Sequence, residues 1–161
     1  MKLYHGSNIV VDHPEIAKGK PFKDFGQGFY LSDTIEQAKE MAERVVERYG
    51  AGQTPVVSTF EFDESTMTDG KLKVKCFETY TEEWAEFVLR NRDRKTPQPY
   101  HDYDIVYGPI ADDGVVRQMR RFEMGAITLN ELMQELQYPS KITFQYFFGS
   151  EKALEKLKFL C

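Results

Sequence analysis

Asp24-Phe25-Gly26-Gln27-Gly28-Phe29-Tyr30-Leu31-Ser32 sets two glycines directly before a short apolar run. Glycine at both positions predicts tightly shaped backbone rather than ordinary packing, with a short strand over 28–32. Tyr30 at the centre of that strand can offer a ring face to a heteroaromatic ligand, worth about 1 kcal/mol beyond the area it buries. Taken alone, it also fits a core aromatic on an amphipathic strand.

Upstream, Met1-Lys2-Leu3-Tyr4-His5 reads as a strand over 2–5 that runs into His5-Gly6-Ser7. A glycine there lets a ligand come close enough for the backbone N–H and C=O to pair with a planar amide. His5 adds a ring nitrogen and Ser7 a hydroxyl. A strand-ending turn with a surface histidine is the competing reading.

Downstream, Asp33 and Glu36 have capping-box spacing. Ala38, Met41, Ala42, Val45, Val46 and Tyr49 follow with helical recurrence, and Gly50 is a natural stop. Strands are expected over 56–62, 72–77, 103–111 and 142–148, with helices over 79–92, 115–122, 128–137 and 150–160. Trp84, Phe87 and Val88 should face inward. Thr128 and Glu131 form a second capping box, and Asp112-Asp113 a helix N-cap. Helices and strands are mixed rather than strictly alternating, which favours an α+β architecture.

The chain has 161 residues, enough for one domain, and 41% of them are hydrophobic, including twelve Phe and nine Tyr. The formal net charge of −5 argues against a broadly basic face, so nucleic acid is not indicated as a partner. No stretch is apolar enough to span a bilayer, and no signal-peptide pattern opens the chain. Cys76 and Cys161 form no CxxC pair, Cys76 being expected as a buried structural thiol, and a reducing cytoplasm is the expected compartment. His5, His13 and His101 lack metal-cluster spacing, so no metal is expected, and phosphate-loop, dinucleotide-loop and serine-hydrolase motifs are absent. Arg90, Arg92, Arg94 and Lys95 cluster in and beside a proline-broken loop. They suit either a pyrophosphate or acidic partner, or simply a solvated surface.

The order and spacing of His5-Gly6-Ser7 and Asp24 to Ser32 resemble the first nucleotide-binding elements of ADP-ribosyltransferases. The resemblance is to the diphtheria-toxin and poly-ADP-ribose-polymerase type, with its signature of His, Tyr and an acidic or amide residue. More narrowly, the chain is similar to a small bacterial family labelled as a domain of unknown function and assigned to that fold. The likeness extends through Tyr103–Asp112, Ile142–Gln145 and Ser150–Leu154. It implies a single ADP-ribosyltransferase-like domain over 1–161, a split sandwich of two antiparallel sheets with flanking helices.

Roles carry over by position. The resemblance implies that His5 bonds the adenine-side ribose of NAD⁺ and that Gly6 backbone groups hold the nicotinamide amide. Ser7 supports the nicotinamide ribose or its amide, and Tyr30 stacks on the nicotinamide, within a binding set that includes Gly28 and Ser32. Gln145 takes the third signature position, facing the 2′-hydroxyl of the nicotinamide ribose. With Tyr30 and His5 it makes the expected catalytic set. An acceptor on that hydroxyl favours the oxocarbenium-like transition state of glycosidic cleavage.

Here the chain departs from the best-known members. Gln145 is neutral where they carry glutamate, and position 143 is Thr, so the paired acids of arginine-modifying members are missing. The implied activity is NAD⁺-dependent mono-ADP-ribosyl transfer to a macromolecular acceptor, with NAD⁺ as co-substrate. A protein antitoxin is the implied partner, as for the toxin of a toxin–antitoxin pair. A catalytically weak nucleotide- or partner-binding module, and an NAD⁺ glycohydrolase, are the competing readings.

Overall fold

In the computed structural model, residues 1–50, 52–137 and 142–161 are described. Among them, seven strands form two sheets. The first sheet has the order β1-β3-β7, with β1 Lys2–Ser7, β3 Val56–Phe62 and β7 Leu157–Phe159, all antiparallel. The second has the order β2-β6-β5-β4, with β2 Phe29–Leu31, β6 Phe144–Phe148, β5 Ile105–Pro109 and β4 Val74–Cys76. Five α-helices accompany them: α1 Ile35–Tyr49, α2 Glu82–Arg92, α3 Asp113–Glu123, α4 Leu129–Leu136 and α5 Glu151–Leu154. The fold is α+β, as the mixed element order predicts.

One pairing departs from the all-antiparallel expectation. Strand β4 lies parallel to β5, with Lys75 opposite Val106. A parallel pair needs a crossover connection, and α2 supplies it.

The sheets pack face to face through Leu3, Phe60 and Phe62 of the first and Phe29, Leu31, Ile105 and Phe148 of the second, with Ala153 and Leu154 of α5 closing the same core. A second core lies between the other face of the four-stranded sheet and helices α2 to α4. Trp84, Val88, Met119 and Leu132 meet Phe25, Val106 and Phe147 there. Trp84 is fully buried and donates from Nε1 to the Pro109 carbonyl at 3.1 Å, so its one polar atom is satisfied. The sheets also touch along an edge, where Tyr4 and Ser32 exchange two backbone hydrogen bonds of 2.8 Å.

Several boundaries moved for physical reasons. The Asp33/Glu36 capping box does not form: Thr34 is the N-cap without a side-chain bond, and the Ser32 hydroxyl accepts from the Thr34 N–H instead. Only Ala38 and Ala42 of α1 are buried, while Met41 and Tyr49 stay exposed, because small residues let the helix lie close on the sheet. Helix α2 starts after Thr81, whose hydroxyl caps the Trp84 N–H. Residues 150–160 are not one helix: α5 spans four residues, and the chain then forms β7 against β3. Cys76 is exposed rather than buried. The Thr128/Glu131 capping box and the Asp112 cap form as expected.

Candidate active site

His5 and Tyr30 meet where the two sheets touch. The Tyr30 carbonyl can only accept, so the His5 Nδ1 at 2.8 Å carries the proton and donates. Nε2 then keeps its lone pair, a ready acceptor for a ligand hydroxyl. Burial holds the imidazole below its ordinary range, opposed by the bond to Tyr30, with nearby Lys23 pushing the same way as burial. The ring lies against Phe29, centroids 4.5 Å apart.

Gly6 has two features. An added Cβ would stand 1.9 Å from the Ala38 carbonyl oxygen, so the absent side chain is what lets α1 dock on β1. Its peptide groups face elsewhere. Tyr4 spends its N–H and C=O on Ser32, and its partner Thr59 spends its own on Leu160 and Cys161. Antiparallel ladders alternate, so Gly6, two residues on, turns its N–H and C=O to the same outer edge as Tyr4. Among the described residues, the Ser7 hydroxyl donates to the Asn8 side chain at 3.3 Å and has no other partner.

Tyr30 is locked by its hydroxyl, which accepts from the Phe25 N–H at 3.0 Å and donates to the Gly26 carbonyl at 2.7 Å. Gly26 has φ of 97°, a left-handed turn that closes this clasp without strain only for glycine. His101 braces the clasp from behind: its Nδ1 accepts from the Tyr103 N–H, and its Nε2 donates to the Phe25 carbonyl at 2.6 Å. Burial, and Asp24 after it, raise the phenol of Tyr30 well above the ordinary range. With its hydroxyl engaged and hard to ionise, Tyr30 can contribute its ring but not a proton. The Lys23 ammonium lies 5.8 Å from that ring's centroid.

Two expected binding residues are turned to structural work. An added Cβ on Gly28 would sit 2.4 Å from the Phe147 ring, so the bare glycine is what lets β6 pack this closely. Ser32 is 4% exposed and spends its hydroxyl on Thr34, so it holds the start of α1. The basic cluster is dispersed as well. Arg92 pairs with Asp24, Arg90 lies 4.0 Å from Glu86, and the Arg94 guanidinium covers the Phe22 ring.

The residue that sequence reasoning missed is Asp24. Its carboxylate receives Arg92 Nη1 on Oδ1 at 3.1 Å, and the Ala111 N–H at 3.1 Å and Gln145 Nε2 at 3.0 Å on Oδ2. Gln145, on β6 opposite Gly108, is thereby joined to the loop that clasps Tyr30. The signal was in the sequence, an acid leading the Phe-Gly-x-Gly run, but the partners lie up to 121 positions away.

Among the described residues, no three His, Cys, Asp or Glu side chains converge as metal ligands would. Cavities of about 230 and 380 Å³ lie elsewhere, the first beside Tyr80 and Val115, the second beside Phe87 and His101. No described helix is long and apolar enough to cross a membrane.

The molecule is thus an α+β fold of two facing sheets, with His5 bonded to the Tyr30 backbone at their shared edge and Gln145 tied through Asp24 to the loop that clasps Tyr30. The chain belongs to the family described as protein of unknown function DUF3990, whose model matches residues 1–159. No curated protein and no solved structure matches it significantly.

Proposed function

We propose that this protein binds NAD⁺ at the seam between its sheets and transfers the ADP-ribosyl group to a macromolecular acceptor. What supports the reading is a pair of hydrogen bonds that each leave an acceptor over, His5 Nδ1 to the Tyr30 carbonyl and Gln145 Nε2 to the Asp24 carboxylate. His5 keeps a neutral ring with Nε2 free to accept from a ribose hydroxyl. Gln145 spends its amide nitrogen on Asp24, leaving Oε1 as an acceptor for a second hydroxyl. The outward N–H and C=O of Gly6 form a donor–acceptor pair suited to a carboxamide, and the clasped Tyr30 offers a rigid ring.

In the proposed reaction the bond between the ribose C1′ and the nicotinamide nitrogen breaks, and its electron pair leaves with neutral nicotinamide. The acceptor's nucleophile bonds C1′ and gives up its proton. Gln145 holding the 2′-hydroxyl favours the oxocarbenium-like transition state between these events. With water as acceptor the same site would be a glycohydrolase, separated by nicotinamide release without a labelled macromolecule. A protein antitoxin that covers the seam belongs to the same proposal.

Thermal unfolding with and without NAD⁺ tests the reading. Ligand at a hundred times its dissociation constant should stabilise the wild type by about 2.7 kcal/mol. Tyr30→Phe, which keeps the ring, should retain the shift from a lower starting stability, and Tyr30→Ala should lose it. No wild-type shift at millimolar NAD⁺ overturns the donor assignment.

A further inference from the structure

Gln145 poses a problem that its surroundings resolve. A neutral amide is a weaker acceptor than a carboxylate, and a glutamine side chain can flip, presenting nitrogen where oxygen is needed. Behind it lies Asp24, a carboxylate with a side chain only 14% exposed. That carboxylate accepts and cannot donate, so it fixes the amide with Nε2 towards Asp24 and Oε1 turned away from it. The same charge-assisted bond draws electron density through the amide towards Oε1, as chained hydrogen bonds polarise one another. Arg92 of α2 and the Ala111 N–H of the loop after β5 hold the carboxylate in place, so the orientation does not depend on β6 alone.

We infer that Asp24 is a positioning residue for the reaction, orienting and polarising Gln145 so that a glutamine does the work of a catalytic acceptor. The inference rests on the proposed donor chemistry for its consequence, but the orientation itself can be tested without it. It also explains why glutamine stands at this position. A glutamate there would put two carboxylates about 3 Å apart, and one of them would have to take up a proton.

The experiment compares wild type, Asp24→Asn, Gln145→Glu and the double variant that carries both substitutions. Nitrogen–proton correlation spectra should place one side-chain amide proton of Gln145 downfield in wild type and return it towards ordinary glutamine values in Asp24→Asn. Nicotinamide release from NAD⁺ should lose roughly 10–100-fold in kcat in Asp24→Asn, the scale for losing a partner that orients a functional side chain, with KM changed less than about threefold. Gln145→Glu alone should be impaired. The double variant should recover both stability and kcat relative to it, because the amide introduced at position 24 removes one of the two facing carboxylates.

A folded Asp24→Asn with unchanged amide resonance and unchanged kcat overturns the positioning role. So does a double variant no better than Gln145→Glu, a comparison that holds even where Asp24→Asn alone folds poorly. Wild type that releases no nicotinamide overturns the donor reading instead, and the amide resonance then decides separately whether Asp24 orients Gln145.

Discussion

His5 and His101 are each held neutral by burial, and each has a ring nitrogen committed to a backbone carbonyl. For His101 a second proton would have to displace the Tyr103 N–H from Nδ1. Both groups therefore have folded-state pKa values below the ordinary 6.5. Below that pH the unfolded chain binds more protons than the folded one, so stability is full above pH 6.5 and declines as pH falls towards the lowered values. Each such histidine costs about 1.4 kcal/mol for every pH unit that separates its folded and unfolded pKa. Urea unfolding at pH 7.5 and 5.5 checks this: wild type should lose stability between them, and His5→Gln and His101→Gln should each lose less. Carboxylates held low, such as Asp102 beside Lys73, titrate from an ordinary 3.8 and lie below this window. At this scale much was legible. His5 and Tyr30 stood out through an order and spacing that resemble a known family, whereas Asp24 led the same run without a role, because its partners Arg92, Ala111 and Gln145 lie far along the chain.

Among the elements, α1 and β7 are the instructive pair. The docking of α1 on β1 depends on Gly6, because any side chain there drives into the Ala38 carbonyl. Gly6→Ala should cost at or above the roughly 1–3 kcal/mol typical of overpacking, read by chemical denaturation. That loss should appear without ligand, which separates it from a binding defect. The periodicity of α1 was readable in sequence, though its burial was narrower than the pattern implied, since only Ala38 and Ala42 meet the sheet closely. The helix expected over 150–160 fails because an exposed edge of β3 is available, and Leu157 to Phe159 satisfy it as a strand. Phe159 packs edge-on to Phe60 with centroids 5.6 Å apart, while Leu160 is 41% exposed. Phe159→Ala should cost about 1–3 kcal/mol, discounted from a full core truncation for its partial exposure, and Leu160→Ala under about 0.5 kcal/mol. Equal losses at the two positions would count against the strand.

For the whole molecule, the candidate site exists because two sheets share an edge. Tyr4 and Ser32 stitch β1 to β2, and that contact brings His5 to the Tyr30 carbonyl across 25 positions of chain. The α+β class, the capping of α3 and α4 and the boundaries of β3 followed from the sequence alone. Each rests on local periodicity or on a cap within three residues, and local rules suffice for these. Tertiary structure alone decided that Gly28 and Ser32 serve packing and capping, that β4 runs parallel to β5, and that Asp24 holds Gln145. These outcomes depend on which surfaces the folded chain brings together, and composition or spacing within one segment carries no record of a partner a hundred residues away.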